Sequence, residues 1–296
     1  MRAKKQRKII KWLIIASIVI FFGLLIDFVI YRYSHNRSAV FKVDGDDFQI
    51  SRGSGWQDFI IKGTDTDAGN TGIFSGETRL SRREYSRLFT DFAASGINVI
   101  RVYTVLSPEF YKAFFEYNLL TDKPLFLLQG IRLRGRNGET YGHAYDDRLN
   151  SDFLEEIRRT IDVIHGKAIT RHPLGSDPES YTLNIAPYLM GYILCLETDK
   201  DFMKTTNTIN PNVSGFEGDF LYTVNANPFE AWMAAISNYT VSYEREKYGK
   251  APKLLSWTNL IYRDALTGIN FEHICPTEKF GAGILFAWQE EWLKGT

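Results

Sequence analysis

The chain has 296 residues, 44% of them hydrophobic, 15% aromatic and 24% charged, which suits one large ordered domain or two small ones and not a disordered protein. The net charge of zero conceals six basic residues and no acid among the first eleven; the remainder holds 29 basic against 35 acidic residues, which argues against a nucleic-acid surface on the main domain. Cys195 and Cys275 form neither a metal-ligand spacing nor a disulfide framework, and Cys195 lies in an apolar run that suits a buried free thiol.

Ile9–Tyr31 is apolar apart from Lys11 and Asp27 near its ends. About 20 apolar residues span a bilayer as a helix, and this stretch reaches that length if Lys11 extends its ammonium to the interface. The basic cluster before it places the N-terminus in the cytoplasm and the bulk of the chain on the extracytoplasmic side. A cleaved signal peptide is the rival, but no A-x-A-like site follows, so an uncleaved signal-anchor in the cell membrane is favoured. The expected organisation is residues 1–33 as basic tail and anchor, 34–55 as linker and edge strands, and 56–296 as the main domain.

Within that domain Trp56–Gly63 reads as a strand ending at glycine. Ser81, with Glu84 three residues on, predicts a capped helix running to Ser95. Ile97–Val105 is a second strand, a helix opens at Pro108, and Pro124–Ile131 is a third strand. A polar loop leads to a helix over Asp152–His165. Pro187–Glu197 is a run of large apolar residues that ends in one carboxylate, a pattern of a strand buried on both faces. Thr198–Asn227 reads as a long irregular loop, Pro228–Tyr248 as a helix, and Lys253–Trp257 as the start of a fifth strand. Repeated βα alternation implies a parallel sheet.

The ordered segments F-I-I-K-G, G-I-N-V-I-R-V-Y, K-P-L-F-L-L-Q-G, G-Y-I-L-C-L-E and the closing G-A-G-I-L-F-A-W resemble the retaining glycoside hydrolases with a (β/α)8 TIM barrel. The β-galactosidase/β-glucuronidase barrel domain and the cell-wall glucanosyltransferases are the nearest in pattern. The resemblance implies Glu197 as general acid/base after strand four, Arg101 as the strand-two arginine that braces the nucleophile, and Trp288 as a sugar-stacking ring. Trp257 and Asn259 at the end of strand five, with Tyr103 beside Arg101, are further candidates for lining a sugar site; for Trp257 and Tyr103 core packing is the competing reading.

Two departures stand out. Leu196 occupies the place of the asparagine that usually precedes the acid/base glutamate. Only 37 residues follow Asn259, where three βα units should fit at about 30 residues or more per βαβ unit. The barrel therefore reads as incomplete, truncated or internally deleted near 260–280, and the region expected to carry the nucleophile is lacking. The local echo T-E-K-F-G (Thr277–Gly281) has Lys279 intruding. Glycoside cleavage of this type needs two carboxylates, about 5 Å apart for retention or 6.5–9.5 Å for inversion. Asp65, Glu217, Glu278 and Glu290 are the candidates for the second.

His143, His165, His172 and His273 have no metal-ligand spacing, no P-loop or G-x-S-x-G elbow occurs, and no cofactor is expected. The basic stretch Ile131–Arg136 suits an acidic glycan or a solvated loop. Sequons stand at Asn36, Asn212 and Asn238. The expected function is an anchored glycoside hydrolase or transglycosylase acting on cell-surface polysaccharide. The alternative is a non-catalytic barrel that binds glycan or serves a polysaccharide-synthesis complex with a membrane glycosyltransferase.

Overall fold

A computed structural model of the chain describes residues 2–35, 39–44, 47–53, 55–66, 80–133, 141–170, 178–196, 198, 201–249, 253–259, 269–280 and 285–287. The chain divides into two units, Met1–Arg37 and Ser38–Thr296. The first is one helix, α1 (Arg2–His35). Its stretch Ile10–Phe28 is long and apolar enough to cross a membrane and is exposed throughout. At 1.5 Å per residue those 19 residues extend about 28 Å, close to the hydrocarbon thickness of a bilayer.

The second unit is mixed α/β. It opens with an antiparallel sheet of β1 (Val40–Asp44), β2 (Asp47–Ser51) and β3 (Trp56–Asp58). There follow β4 (Gly63–Asp65), α2 (Arg82–Ala94), β5 (Val99–Val102), α3 (Pro108–Leu120), β6 (Phe126–Arg132), α4 (Asp147–Ile164), and a small hairpin of β7 (Ala168–Thr170) and β8 (Glu179–Tyr181). The chain continues through β9 (Leu189–Leu196), α5 (Phe202–Ile209), β10 (Leu221–Thr223), α6 (Pro228–Tyr248), β11 (Leu254–Asn259), β12 (Ile274–Pro276) and β13 (Leu285–Ala287).

The main sheet is parallel, in the order β13-β11-β9-β6-β5-β4. Each strand lies beside the previous sheet strand in the chain, so the sheet is wound in one direction and has no reversal of order. Among the described residues it holds six strands, not eight, and does not close. β13 pairs directly with β11, so no strand stands between them. β12 joins β10 in a separate antiparallel pair.

Several boundaries differ from the sequence reading. The first sheet strand is β4, not Trp56–Gly63. The aromatic and β-branched residues of that stretch serve an antiparallel strand and a connector instead. Phe59 and Ile61 of the connector pack on the sheet, and Asn98 ties its backbone by accepting from Lys62 N and donating to Ile60 O, both at 2.8 Å. The helix expected from Asp152 begins at Asp147, because Asp146 caps it by accepting from Arg148 N at 2.9 Å. The stretch expected to be irregular, Thr198–Asn227, contains α5 and β10.

The two faces of the sheet are covered differently. On one, Ile100, Val102, Leu127, Leu194 and Trp257 pack against the helices, with a ring cluster of Tyr85, Phe89, Phe110 and Phe114 between α2 and α3. Burying each such ring stabilises the fold by about 1.5–3 kcal/mol relative to exposure. On the other, Val99, Phe126, Leu128, Met190, Ile193 and Cys195 meet Phe41, Phe48 and Ile50 of the N-terminal hairpin.

A bulge sets the parity of β9. Leu127 pairs with Leu189, but Leu128 pairs with Gly191, leaving Met190 extra. Without that insertion, Ile193 and Cys195 would face the helices rather than the hairpin side. Gly191 is required there: a Cβ would lie 2.5 Å from Leu254 O on the neighbouring strand.

Candidate functional site

The C-terminal ends of the parallel strands carry a compact polar cluster on the face opposite the helices. Asp65 is the last residue of β4 and is paired in register with Arg101 of β5, so both side chains leave the same face. Tyr103 follows two residues after Arg101 and keeps that parity.

Arg101 is 3% exposed and binds one carboxylate with two donors. Nε donates to Asp65 Oδ1 at 2.6 Å and Nη2 to Asp65 Oδ2 at 2.5 Å. This bidentate geometry is among the strong charge-assisted arrangements. The Tyr103 hydroxyl donates to Asp65 Oδ2 at 2.9 Å and accepts from Arg101 Nη2. The Arg101 guanidinium carbon also stands 4.5 Å from the centre of the Tyr103 ring. Burial pulls the Arg101 pKa down, but the Asp65 carboxylate, helped by Tyr103 and Cys195, outweighs it and holds the pKa above the ordinary arginine value.

Behind the cluster, on the helix side, Gln129 is fully buried; it accepts from Tyr111 OH at 2.8 Å and donates to Gly130 O at 2.9 Å. Burial, then Tyr181, raises the Tyr111 pKa, so this hydroxyl is a fixed neutral donor. A Cβ on Gly130 would come within 2.4 Å of Tyr103 O, so glycine permits the close approach of β6 to the residue that carries the phenol.

The expected site residues fall out as follows. Arg101 and Tyr103 are brought together. Glu197 and Trp288 lie outside the described residues. Asn259 ends β11 opposite Leu196, and its side chain is outside the described set. Trp257 is a correction. It is 1% exposed, its indole N–H donates to Ser237 Oγ at 3.0 Å, and its ring meets Phe153 and Trp232. It belongs to the helix-side core and offers no face to a sugar. In register, its neighbour Ser256 occupies the other face, opposite Ile193.

Of the candidate second carboxylates, Glu217 is exposed on the turn before β10 and Glu278 is exposed in a short 3-10 turn; Glu290 is outside the described residues. Asp65 alone of these stands in the Arg101 cluster. The sequence reading did not foresee that pairing; the signal for it was the shared strand-end position of G-T-D and I-R-V, once the first strand is placed correctly.

Among the described residues, no group of three or more His, Cys, Asp or Glu is arranged to hold a metal ion. Two shallow depressions lie elsewhere. One is on the outer face of α2, at Arg83, Arg87 and Asp91; the other is at the Ser214–Thr223 turn, beside Phe216, Glu217 and Tyr222.

No protein-family model matches the sequence, and no curated protein matches it. Among solved structures the chain is similar to an endocellulase from Pyrococcus horikoshii in complex with cellotetraose, at 10% identity and a TM-score of 0.42. The match covers 78% of this chain and 62% of that one, so the chain spans less than two thirds of its length. A likeness at that level assigns no role to any residue.

Proposed function

We propose that the chain is a membrane-anchored, extracytoplasmic protein of glycoside-hydrolase type, acting on cell-surface polysaccharide at the C-terminal edge of its parallel sheet. One observation carries this reading: a buried arginine, Arg101, is aimed at a half-exposed carboxylate at the strand ends of a sheet wound in one direction. In βα-barrel enzymes that edge is the working face, with catalytic residues supplied by the ends of different strands. The motif resemblance adds Glu197, directly after the last residue of β9 in the chain, as the general acid/base. It also adds Trp288 as a sugar-stacking ring, and Asn259, the last residue of β11, joins it as a further sugar contact by its strand-end position. α1 supplies the anchor, with its basic end in the cytoplasm.

The chemistry asks for no cofactor. A carboxylic acid protonates the glycosidic oxygen while a second carboxylate acts on the opposite side of the sugar. Tyr103 and Arg101 hold that side of the site in a fixed geometry.

A second reading, a non-catalytic glycan-binding protein serving a polysaccharide-synthesis complex, draws support from two observations. Leu196 stands where the resembled enzymes have asparagine, and the described sheet has six strands. The discriminating experiment uses the full chain in detergent. Oligosaccharides made by partial acid hydrolysis of the producing cell's surface polysaccharide are tested for binding and cleavage, with wild type and Glu197→Gln. Cleavage by wild type that Glu197→Gln abolishes, with binding retained, supports the hydrolase. Binding without cleavage by either favours the second reading, and neither binding nor cleavage contradicts both.

A further inference from the structure

Resting on the anchored reading of α1, we propose that the sheet edge opposite the Arg101 cluster lies on the membrane surface and takes anionic phospholipid headgroups. The chain itself leads there. Ala39 N donates to Pro187 O at 3.2 Å, and Pro187 stands just before the start of β9. The main domain is therefore entered at the edge where the parallel strands begin. Phe28 ends the membrane-length stretch, residues 29–35 continue the helix, and 36–38 lead on to Ala39. At 1.5 Å per helical residue and about 3.5 Å per extended one, the covalent chain holds that entry point within about 25 Å of the hydrocarbon.

Lysines recur at this edge. Lys62 directly precedes β4, Lys123 opens the K-P-L approach to β6, and Lys253 directly precedes β11. Lys167 follows the end of α4, where Ile185 N donates to Ile164 O and ties the turn to the connection into β9. β4 and β11 are four steps apart in the sheet, so the row extends about 19 Å at roughly 4.8 Å per step. Lys253 Nζ donates to Ala186 O at 3.1 Å. Lys62, Lys123 and Lys167 are exposed, and among the described residues no hydrogen bond or ion pair holds their ammonium groups.

Two large apolar side chains share the edge and face water. Ile60, 75% exposed, lies in the connector into β4, and Leu120, 71% exposed, ends α3. The acids Asp91, Asp122 and Glu246 are exposed near the same helix ends and connections, so charge alone does not select this surface. Lysines beside exposed aliphatic residues suit the interface of an anionic bilayer. Lipid phosphates meet the ammonium groups, and the aliphatic tips enter the headgroup layer. Docked in this way, the domain carries Arg101, Tyr103 and Asp65 at its far edge, away from lipid and towards the polysaccharide.

The test uses the full chain in lipid nanodiscs, one set of phosphatidylcholine and one of equal parts phosphatidylcholine and phosphatidylglycerol. Lysine acetylation by a water-soluble reagent is timed residue by residue with mass spectrometry. In the anionic discs Lys62, Lys123 and Lys167 are expected to react about fivefold more slowly than in the neutral discs, while Lys112 and Lys204 keep their rates. Salt at about 0.5 M is expected to remove the difference, since charges are then screened within about 4 Å. Ile60→Asp combined with Leu120→Asp, both at exposed positions, is expected to reduce the slowing to less than about twofold. Equal rates for the edge lysines in the two lipids overturn the proposal, as does slowing that survives the double variant. Slowing that grows with protein concentration in detergent, and not with phosphatidylglycerol, assigns the surface to a second copy and overturns it too. A chain that does not enter the discs contradicts the anchored reading, and the proposal falls with it.

Discussion

Arg101 and Asp65 are unequal partners in one ion pair: the arginine side chain is 4% exposed and the aspartate side chain 40%. Removing the carboxylate leaves a buried guanidinium without its bidentate acceptor, whereas removing the arginine leaves an aspartate that water can reach. Losing one partner of a fully buried pair costs about 3–5 kcal/mol, and the exposure of Asp65 reduces that through solvent screening. Asp65→Ala is therefore expected to cost about 2 kcal/mol, or about 4–8 °C in Tm for a domain of this size. Arg101→Met should cost less than Asp65→Ala, and the double variant less than the sum of the two. Thermal melts of the four proteins check this; strict additivity would show that the pair is not coupled.

Gly191 holds the bulge that sets the facing of β9. A Cβ there would sit 2.5 Å from Leu254 O and 2.8 Å from Leu254 Cβ, so β9 and β11 have to separate. Gly191→Ala is expected to destabilise by about 1–3 kcal/mol, as overpacking in a tight core does. Gly142→Ala is the control, since nothing lies within 4 Å of a Cβ at that position. Urea melts that show equal midpoints for the two variants would contradict the account of the bulge.

Glu230, 1% exposed, does two jobs at the start of α6. It completes a capping box by accepting from Asn227 N at 3.0 Å. It also holds the segment before β12, accepting from Asn270 N at 2.9 Å with His273 Nδ1 2.8 Å from its other oxygen. Glu230→Ala is expected to cost about 2–4 kcal/mol, combining a lost cap with buried donors left unpaired. Hydrogen exchange should accelerate at Asn270–His273 more than in β5 or β6. Uniform acceleration across the domain would show that the clasp is not local.

Alkaline pH should weaken the fold in a defined window. Burial pushes Tyr145 up to about 12, and burial together with Glu244 pushes Tyr192 well above the ordinary value. Unfolded tyrosines ionise near pH 10, so from about pH 10 to 12 the unfolded state loses protons that the folded state keeps. Stability from these groups is complete below about pH 10 and falls as pH rises through that window. Tyr145→Phe, which also removes the hydrogen bond from Tyr145 OH to Pro228 O, should flatten the fall in Tm between pH 10 and 12. An unchanged slope would contradict Tyr145's share in it.

Much of the scaffold was legible because local chemistry dictated it. Ser81 and Glu84 announced the start of α2, Pro108 opened α3, and the apolar run at Leu189–Leu196 is a strand buried on both faces. Parity was not legible. When a strand is apolar on both sides, hydrophobic pattern cannot say which residues face the helices. Trp257, which read equally as a site ring or as core, turned out to lie against α4 and α6. The Met190 bulge was hidden for the same reason. The Asp65–Arg101 pair depends on a register between residues 36 apart in the chain. It became visible only once β4, rather than the more strand-like Trp56–Gly63, took the first place in the sheet.

The central claim is that the glycan site lies at the strand ends around Arg101. Hydrogen exchange of the full chain, with and without saturating surface oligosaccharides, tests it most directly. The account predicts slowed exchange at Asp65–Thr66, Tyr103–Leu106 and Arg132–Leu133. Protection confined to the Ser214–Thr223 turn or to the outer face of α2, or no protection anywhere, would contradict it.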